Sequence, residues 1–202
     1  MNNGADYSSQ LADQGLSMPR TAILREMLQV LEYWQAMPGA KRRAGLDPKG
    51  LGPSSLSRIA LVRTLLDAPE TARAAREEPG PTVDFRYELI GSLFGEYAPR
   101  LKPGALSSGI VAIDPTRTFV IDAQRRAARE RAPLGMVLNY RDIEDIERAC
   151  FNLILPLGLD QPIASDLLLA LWAEVPALRP GERRIGVVID DPESWLSNLE
   201  KD

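Results

Sequence analysis

The sequence predicts an α+β domain in which helices cover one face of a five-stranded antiparallel sheet. An amphipathic helix precedes this domain and a short appendage follows it. Three observations carry the prediction. The periodic segments run in the order helix, strand, strand, short helices, longer helix and then three strands. The stretch Thr82–Ile90 alternates strictly, with Val83, Phe85, Tyr87 and Leu89 against Asp84, Arg86 and Glu88, the pattern of a half-buried antiparallel strand. Neither GxGxxG nor GxxxxGKS occurs, and the regular strand–helix alternation of a parallel, doubly wound sheet is missing.

Residues 1–17 are polar and rich in Gly, Ser, Asn and Gln, so a disordered lead-in is expected. Residues 18–38 then form a helix. Ile23, Met27, Val30, Trp34 and Met37 recur at spacings of four and three, and Leu24, Leu28 and Leu31 widen the stripe before Pro38-Gly39 ends it. Such a stripe either packs on its own domain or faces a second copy or a partner. It is wider than one small sheet requires, which nominates these five residues as a dimer- or partner-facing set.

The main domain is expected over residues 39–175. It opens with a turn-rich connector in which Lys41, Arg42 and Arg43 read as a solvated loop. Leu56–Leu66 reads as the first strand and residues 67–81 as a charged surface excursion. Gly91–Leu106 is a passage of short helices and turns. Asp114-Pro115 caps a longer helix that runs to about Arg131, with Phe119, Val120, Ala123 and Ala127 inward. Its arginines, Arg125, Arg126, Arg129 and Arg131, suit the negative end of the helix dipole.

Three strands follow, Leu134–Arg141, Ala149–Pro156 and Ile163–Ala173. The acidic turn with Asp142, Glu144, Asp145 and Glu147 lacks the ligand spacing and glycine of a calcium loop. Residues 176–202 form the appendage, with a short apolar run at Ile185–Ile189 and a final helix capped by Asp191-Pro192 that carries Trp195 and Leu199.

The 202 residues include no histidine and a single cysteine, Cys150. No Ser-His or Cys-His pair can form within this chain, and the commonest metal ligand is missing. Cys150, between Ala149 and Phe151, reads as an inert core thiol. With 24 basic and 28 acidic residues the net charge is −4, which argues against non-specific nucleic-acid binding. One cysteine forms no internal disulfide, the opening residues lack a signal peptide's charged start and apolar run, and no stretch approaches the ~20 apolar residues of a membrane helix. A cytoplasmic protein without membrane contact is expected.

The chain resembles bacterial PAS domains of the type led by a tryptophan-bearing helix. The resemblance rests on Glu32-Tyr33-Trp34, Leu46-Asp47-Pro48, the run Asp84-Phe85-Arg86-Tyr87-Glu88-Leu89-Ile90-Gly91, and Leu153-Ile154-Leu155-Pro156-Leu157, which together span about residues 31–174. It departs from the family in the excursion 67–81, where a tight turn is usual, and in Gly91-Ser92-Leu93-Phe94 and Leu101-Lys102-Pro103-Gly104.

The resemblance implies a non-enzymatic sensory or interaction module of signal transduction. It would act as a homodimer or through a signalling protein partner. Haem in such domains usually needs histidine, and a covalent flavin adduct needs a cysteine on the helix before the long helix, so no cofactor is expected. A small-molecule sensor is the alternative, with Tyr87, Leu89, Phe94, Phe119, Met136 and Leu138 as pocket walls of unknown ligand. Catalysis by the carboxylates of Asp142–Glu147 or Asp190-Asp191 is the least favoured reading, because both lie in turn or tail segments.

Overall fold

The computed structural model describes residues 18–66, 83–98, 101–113, 118–141, 147–174 and 186–199. The expected lead-in 1–17, the excursion 67–81, the Asp114-Pro115 cap and the centre of the acidic turn lie outside the described residues. Helix α1 (Arg20–Ala36), a 3-10 turn (Arg43–Gly45) and α2 (Pro48–Ser57) precede strands β1 (Ile59–Leu66) and β2 (Val83–Ile90). Helices α3 (Ser92–Tyr97), α4 (Ser107–Ile113) and α5 (Thr118–Glu130) follow. Strands β3 (Leu134–Arg141), β4 (Glu147–Leu157), β5 (Asp166–Ala173) and β6 (Gly186–Ile189) and helix α6 (Pro192–Leu199) complete the described elements.

The strands form one antiparallel sheet in the order β2-β1-β5-β4-β3-β6. Two expectations are corrected here. Among the described residues the sheet has six strands, not five, because Gly186–Ile189 of the expected apolar run pairs with β3 as an edge strand, while Ile185 lies outside the described residues. It is also covered on both faces, not one.

On the first face α1 lies over β4 and β5. Ile23, Met27, Val30 and Trp34 meet Phe151, Leu153 and Leu155 of β4 and Leu168, Ala170 and Trp172 of β5, with Leu196 of α6 alongside. On the second face α3 and α5 cover Val62, Phe85, Tyr87, Met136, Ile154, Leu167 and Leu169. Burial on both sides is why β5 reads DLLLALWA and β4 FNLILPL, without alternation.

The connector is more ordered than a loop. Asp47 caps α2, its Oδ1 accepting from the Lys49 amide (2.9 Å), and Pro48 takes the first helical position. The helix is interrupted at Gly52, whose φ of 73° precedes Pro53. Lys41 closes α1: its ammonium donates to the carbonyls of Trp34 and Gln35 (2.8 Å each) and Met37 (3.3 Å), and lies 4.6 Å from the centre of the Trp34 ring. Burial pushes the Lys41 ammonium below its ordinary value.

The C-terminal segment is part of this fold. Asp191 caps α6 as expected, accepting from the Ser194 amide (3.0 Å), while Trp195 stacks on Phe151 and Leu196 enters the first core. Among the described residues no helix is long and apolar enough to cross a membrane.

Candidate functional site

The apolar stripe of α1 is spent inside the chain. Ile23, Met27, Val30, Trp34 and Met37 are at most 6% exposed, buried against their own sheet. The Trp34 indole N–H donates to the Pro156 carbonyl (2.9 Å), and Trp172 donates to Glu26 of α1 (2.9 Å). As a dimer- or partner-facing set this stripe is therefore corrected: a six-stranded sheet has a first face broad enough to bury all of it.

The expected pocket walls divide. Tyr87, Phe94 and Met136 are buried in the second-face core, and Phe119 and Leu138 pack partly buried against it. Leu89 does not join them. The register pairs Leu61 with Leu89 and Val62 with Tyr87, so Glu88 is an extra residue in β2. This bulge ends the alternation and turns Leu89, 49% exposed, to the first face.

Nor do the other five converge. Tyr87 lies on β2 and Met136 and Leu138 on β3, four strand positions apart in the sheet order, which is about 19 Å. One small pocket cannot be lined by all of them.

A polar group within the second core was not singled out from the sequence. Gln124 of α5 is buried, and its amide nitrogen donates to the Tyr87 hydroxyl (3.3 Å). Its Oε1, with Thr64 Oγ1 and Ser107 Oγ, is buried without a hydrogen-bond partner. Asp84, fully buried, accepts from the Phe85 amide (2.8 Å) and from the amide and hydroxyl of Ser108 at the start of α4 (3.0 and 2.6 Å). The sequence did carry a signal for Gln124, a polar residue four positions after Val120 and four before Ala128 on the inward side of α5.

Arg125 and Arg126 of α5, and Arg131 just beyond its end, are engaged within the chain. Arg125 donates to the Val83 carbonyl (2.9 Å), Arg126 pairs with Glu130 and Asp190, and Arg131 reaches the Leu159 carbonyl (3.3 Å). The neighbouring carboxylates, Glu130 first and Asp190 next, hold the Arg126 guanidinium above its ordinary value. Asp190 is thus an ion-pair partner and Asp191 a helix cap. Cys150 is half-buried beside the second core, its Sγ 3.7 Å from the Asn152 amide nitrogen.

A charged cluster occupies the first face where β2, β1 and β5 meet. Glu88 Oε2 accepts from Arg43 of the 3-10 turn, and Glu88 Oε1 lies 3.1 Å from Arg63 Nε and 3.2 Å from Arg86 Nη2. Arg43 also stands 3.6 Å from Asp166 Oδ1. Hydrogen bonding to Arg43, supported by Arg86 and Arg63, holds the Glu88 carboxyl below its ordinary value against some opposing burial. Compared with models of protein families, with curated proteins and with solved structures, the chain gives no significant match in any of the three.

Proposed function

We propose that this chain is a non-enzymatic, PAS-like sensory and interaction module of bacterial signal transduction, cytoplasmic, that acts by associating with a second copy or with a signalling protein. The observation that carries the reading is the arrangement around one antiparallel sheet. The helical passage between β2 and β3 covers the second face and the tryptophan-bearing α1 seals the first. A change on one face then reaches the other through shared strands, a layout suited to relaying a state and not to assembling reacting groups.

Light scattering of the full chain over a concentration series tests association with itself, a two-chain mass being the supporting result. Affinity capture from bacterial extract, followed by reconstitution with the purified partner, tests association with another protein. No association in either experiment overturns the reading.

A second reading, a small-molecule sensor, is favoured by the unpartnered buried oxygens of Gln124, Thr64 and Ser107, the first of them on a side chain that also meets the Tyr87 hydroxyl. Unpaired polar atoms in an apolar core cost about 1–3 kcal/mol each, and a polar ligand would relieve that cost. Mass spectrometry of the denatured protein should reveal a bound compound that Gln124→Leu loses. No compound, and no thermal shift across a metabolite panel, would sink this reading.

A further inference from the structure

We infer that the open quarter of the first face is an arginine platform that receives a carboxylate-bearing segment of a partner protein. The inference rests on the reading of the chain as an interaction module and names the chemistry of its partner.

The first face is unevenly covered. Helix α1 seals β4 and β5, whereas on the β1–β2 side Arg63, Arg86 and Leu89 are 47, 42 and 49% exposed. Register aligns the cluster: Arg63 stands beside Arg86 across β1–β2 and beside Asp166 across β1–β5. The Glu88 bulge adds a carboxylate to this row and the 3-10 turn adds Arg43 from above.

Exposure then sorts the charges by sign. The Glu88 and Asp166 side chains are only 18 and 10% exposed, against 37–47% for the three arginines. The carboxylates are the more buried members of the cluster and the arginine side chains the more exposed. Each guanidinium has five N–H donors in a fixed fork, and each arginine meets Glu88 through a single nitrogen. Glu88 thus fixes three like charges that would otherwise repel, and leaves their remaining donors preorganised for carboxylates.

Charge complementarity selects the occupant. The platform is net positive on a chain of net charge −4, so it is complementary to a carboxylate-rich segment. A second copy related by a two-fold axis through this face would set arginine against arginine. A small anion on an open, screened surface gains little, whereas a protein segment also covers Leu89. The outer edge of β2 is already partly occupied: the Tyr87 amide donates to the Ala105 carbonyl (3.0 Å) and the Gly104 amide to the Tyr87 carbonyl (2.6 Å). The partner therefore lies on the face of the sheet and does not add a strand at that point.

The test uses the full chain and a short labelled peptide alternating glutamate and leucine, with a glutamine-for-glutamate peptide as control. Saturable binding by fluorescence anisotropy is expected, weakening as salt rises, with amide shifts gathered at Arg63, Arg86 and Leu89. Arg63→Glu and Arg86→Glu should each weaken it about tenfold or more. Leu89→Ser, an exposed change that leaves the fold intact, should weaken it several-fold and keeps the test open if a charge reversal fails to fold.

No saturable binding, equal binding of the glutamine peptide, or indifference to these substitutions would overturn the inference. Inorganic phosphate that displaces the peptide at equal concentration would reassign the site to small anions. A two-chain mass lost in Arg63→Glu would reassign it to a second copy. Peptide failure in a chain that still associates with itself or with a captured protein rejects the platform alone. Failure of all three rejects the interaction reading as well.

Discussion

Glu88 shows how much one inserted residue rearranges. In a strictly alternating β2 it would share a face with Asp84 and Arg86, and Leu89 would continue the buried side. The bulge leaves Glu88 on that face, among three arginines, and brings Leu89 out to it as well. Its carboxyl sits below the ordinary value of 4.5, so its stabilising contribution is present in full above that value. The contribution is lost as pH falls through the folded-state value. Glu88→Gln is therefore expected to lower stability by about 1 kcal/mol at neutral pH, with three guanidiniums left facing one another, and to make little difference in strongly acid solution. Urea unfolding of both proteins at neutral and acid pH measures this, and a difference that persists unchanged into acid would contradict it. Gly91, by contrast, is required by space: a Cβ there would lie 2.5 Å from the Ser57 carbonyl oxygen.

At the scale of the element, β2 and α1 make opposite points about periodicity. The alternation Val83, Phe85, Tyr87 correctly marks one buried side, and it fails at the bulge because strand pairing, not composition, decides where an extra residue goes. Phe85→Ala should cost about 3–5 kcal/mol, whereas Leu89→Ser should stay within about 0.5 kcal/mol. Equal losses in denaturant midpoint would show that the register drawn here is wrong. In α1 the helical stripe is legible and its bounds are nearly right, but what the stripe faces is not. The same pattern of Ile23, Met27, Val30 and Trp34 serves a dimer seam or an intrachain sheet, and only the width of the sheet beneath distinguishes them.

At the scale of the whole molecule, two cores share one sheet, and α1 and α6 both help to build the first. A chain beginning at Gly39 loses α1 and bares Phe151, Leu153, Leu155, Leu168 and Trp172. It is expected to lose its cooperative unfolding transition or to aggregate, not to become a well-folded monomer. Calorimetry or circular dichroism on heating checks this, and a truncated chain as stable as the parent would refute the placement of α1. The C-terminal segment straddles the layers: Asp190 pairs with Arg126 of α5 (2.7 Å), and Glu193 accepts from Gln35 of α1 (2.6 Å). It therefore touches helices on both faces at the β6 edge.

Local periodicity and capping chemistry were enough for the α+β class with an antiparallel sheet, the helix that carries Trp34, the strand at Val83–Tyr87 and the Asp191 cap. The candidate site was legible only in part. Tyr87, Phe94 and Met136 were identified as inward, but their separation across the sheet depends on strand order, which no local pattern encodes. The sixth strand, the burial of both faces, the bulge at Glu88 and the meeting of Arg43, Arg63 and Arg86 were decided by tertiary structure. Each depends on which distant segments pair, and pairing is set by the sum of burial over the whole sheet, not by any residue's neighbours in the chain.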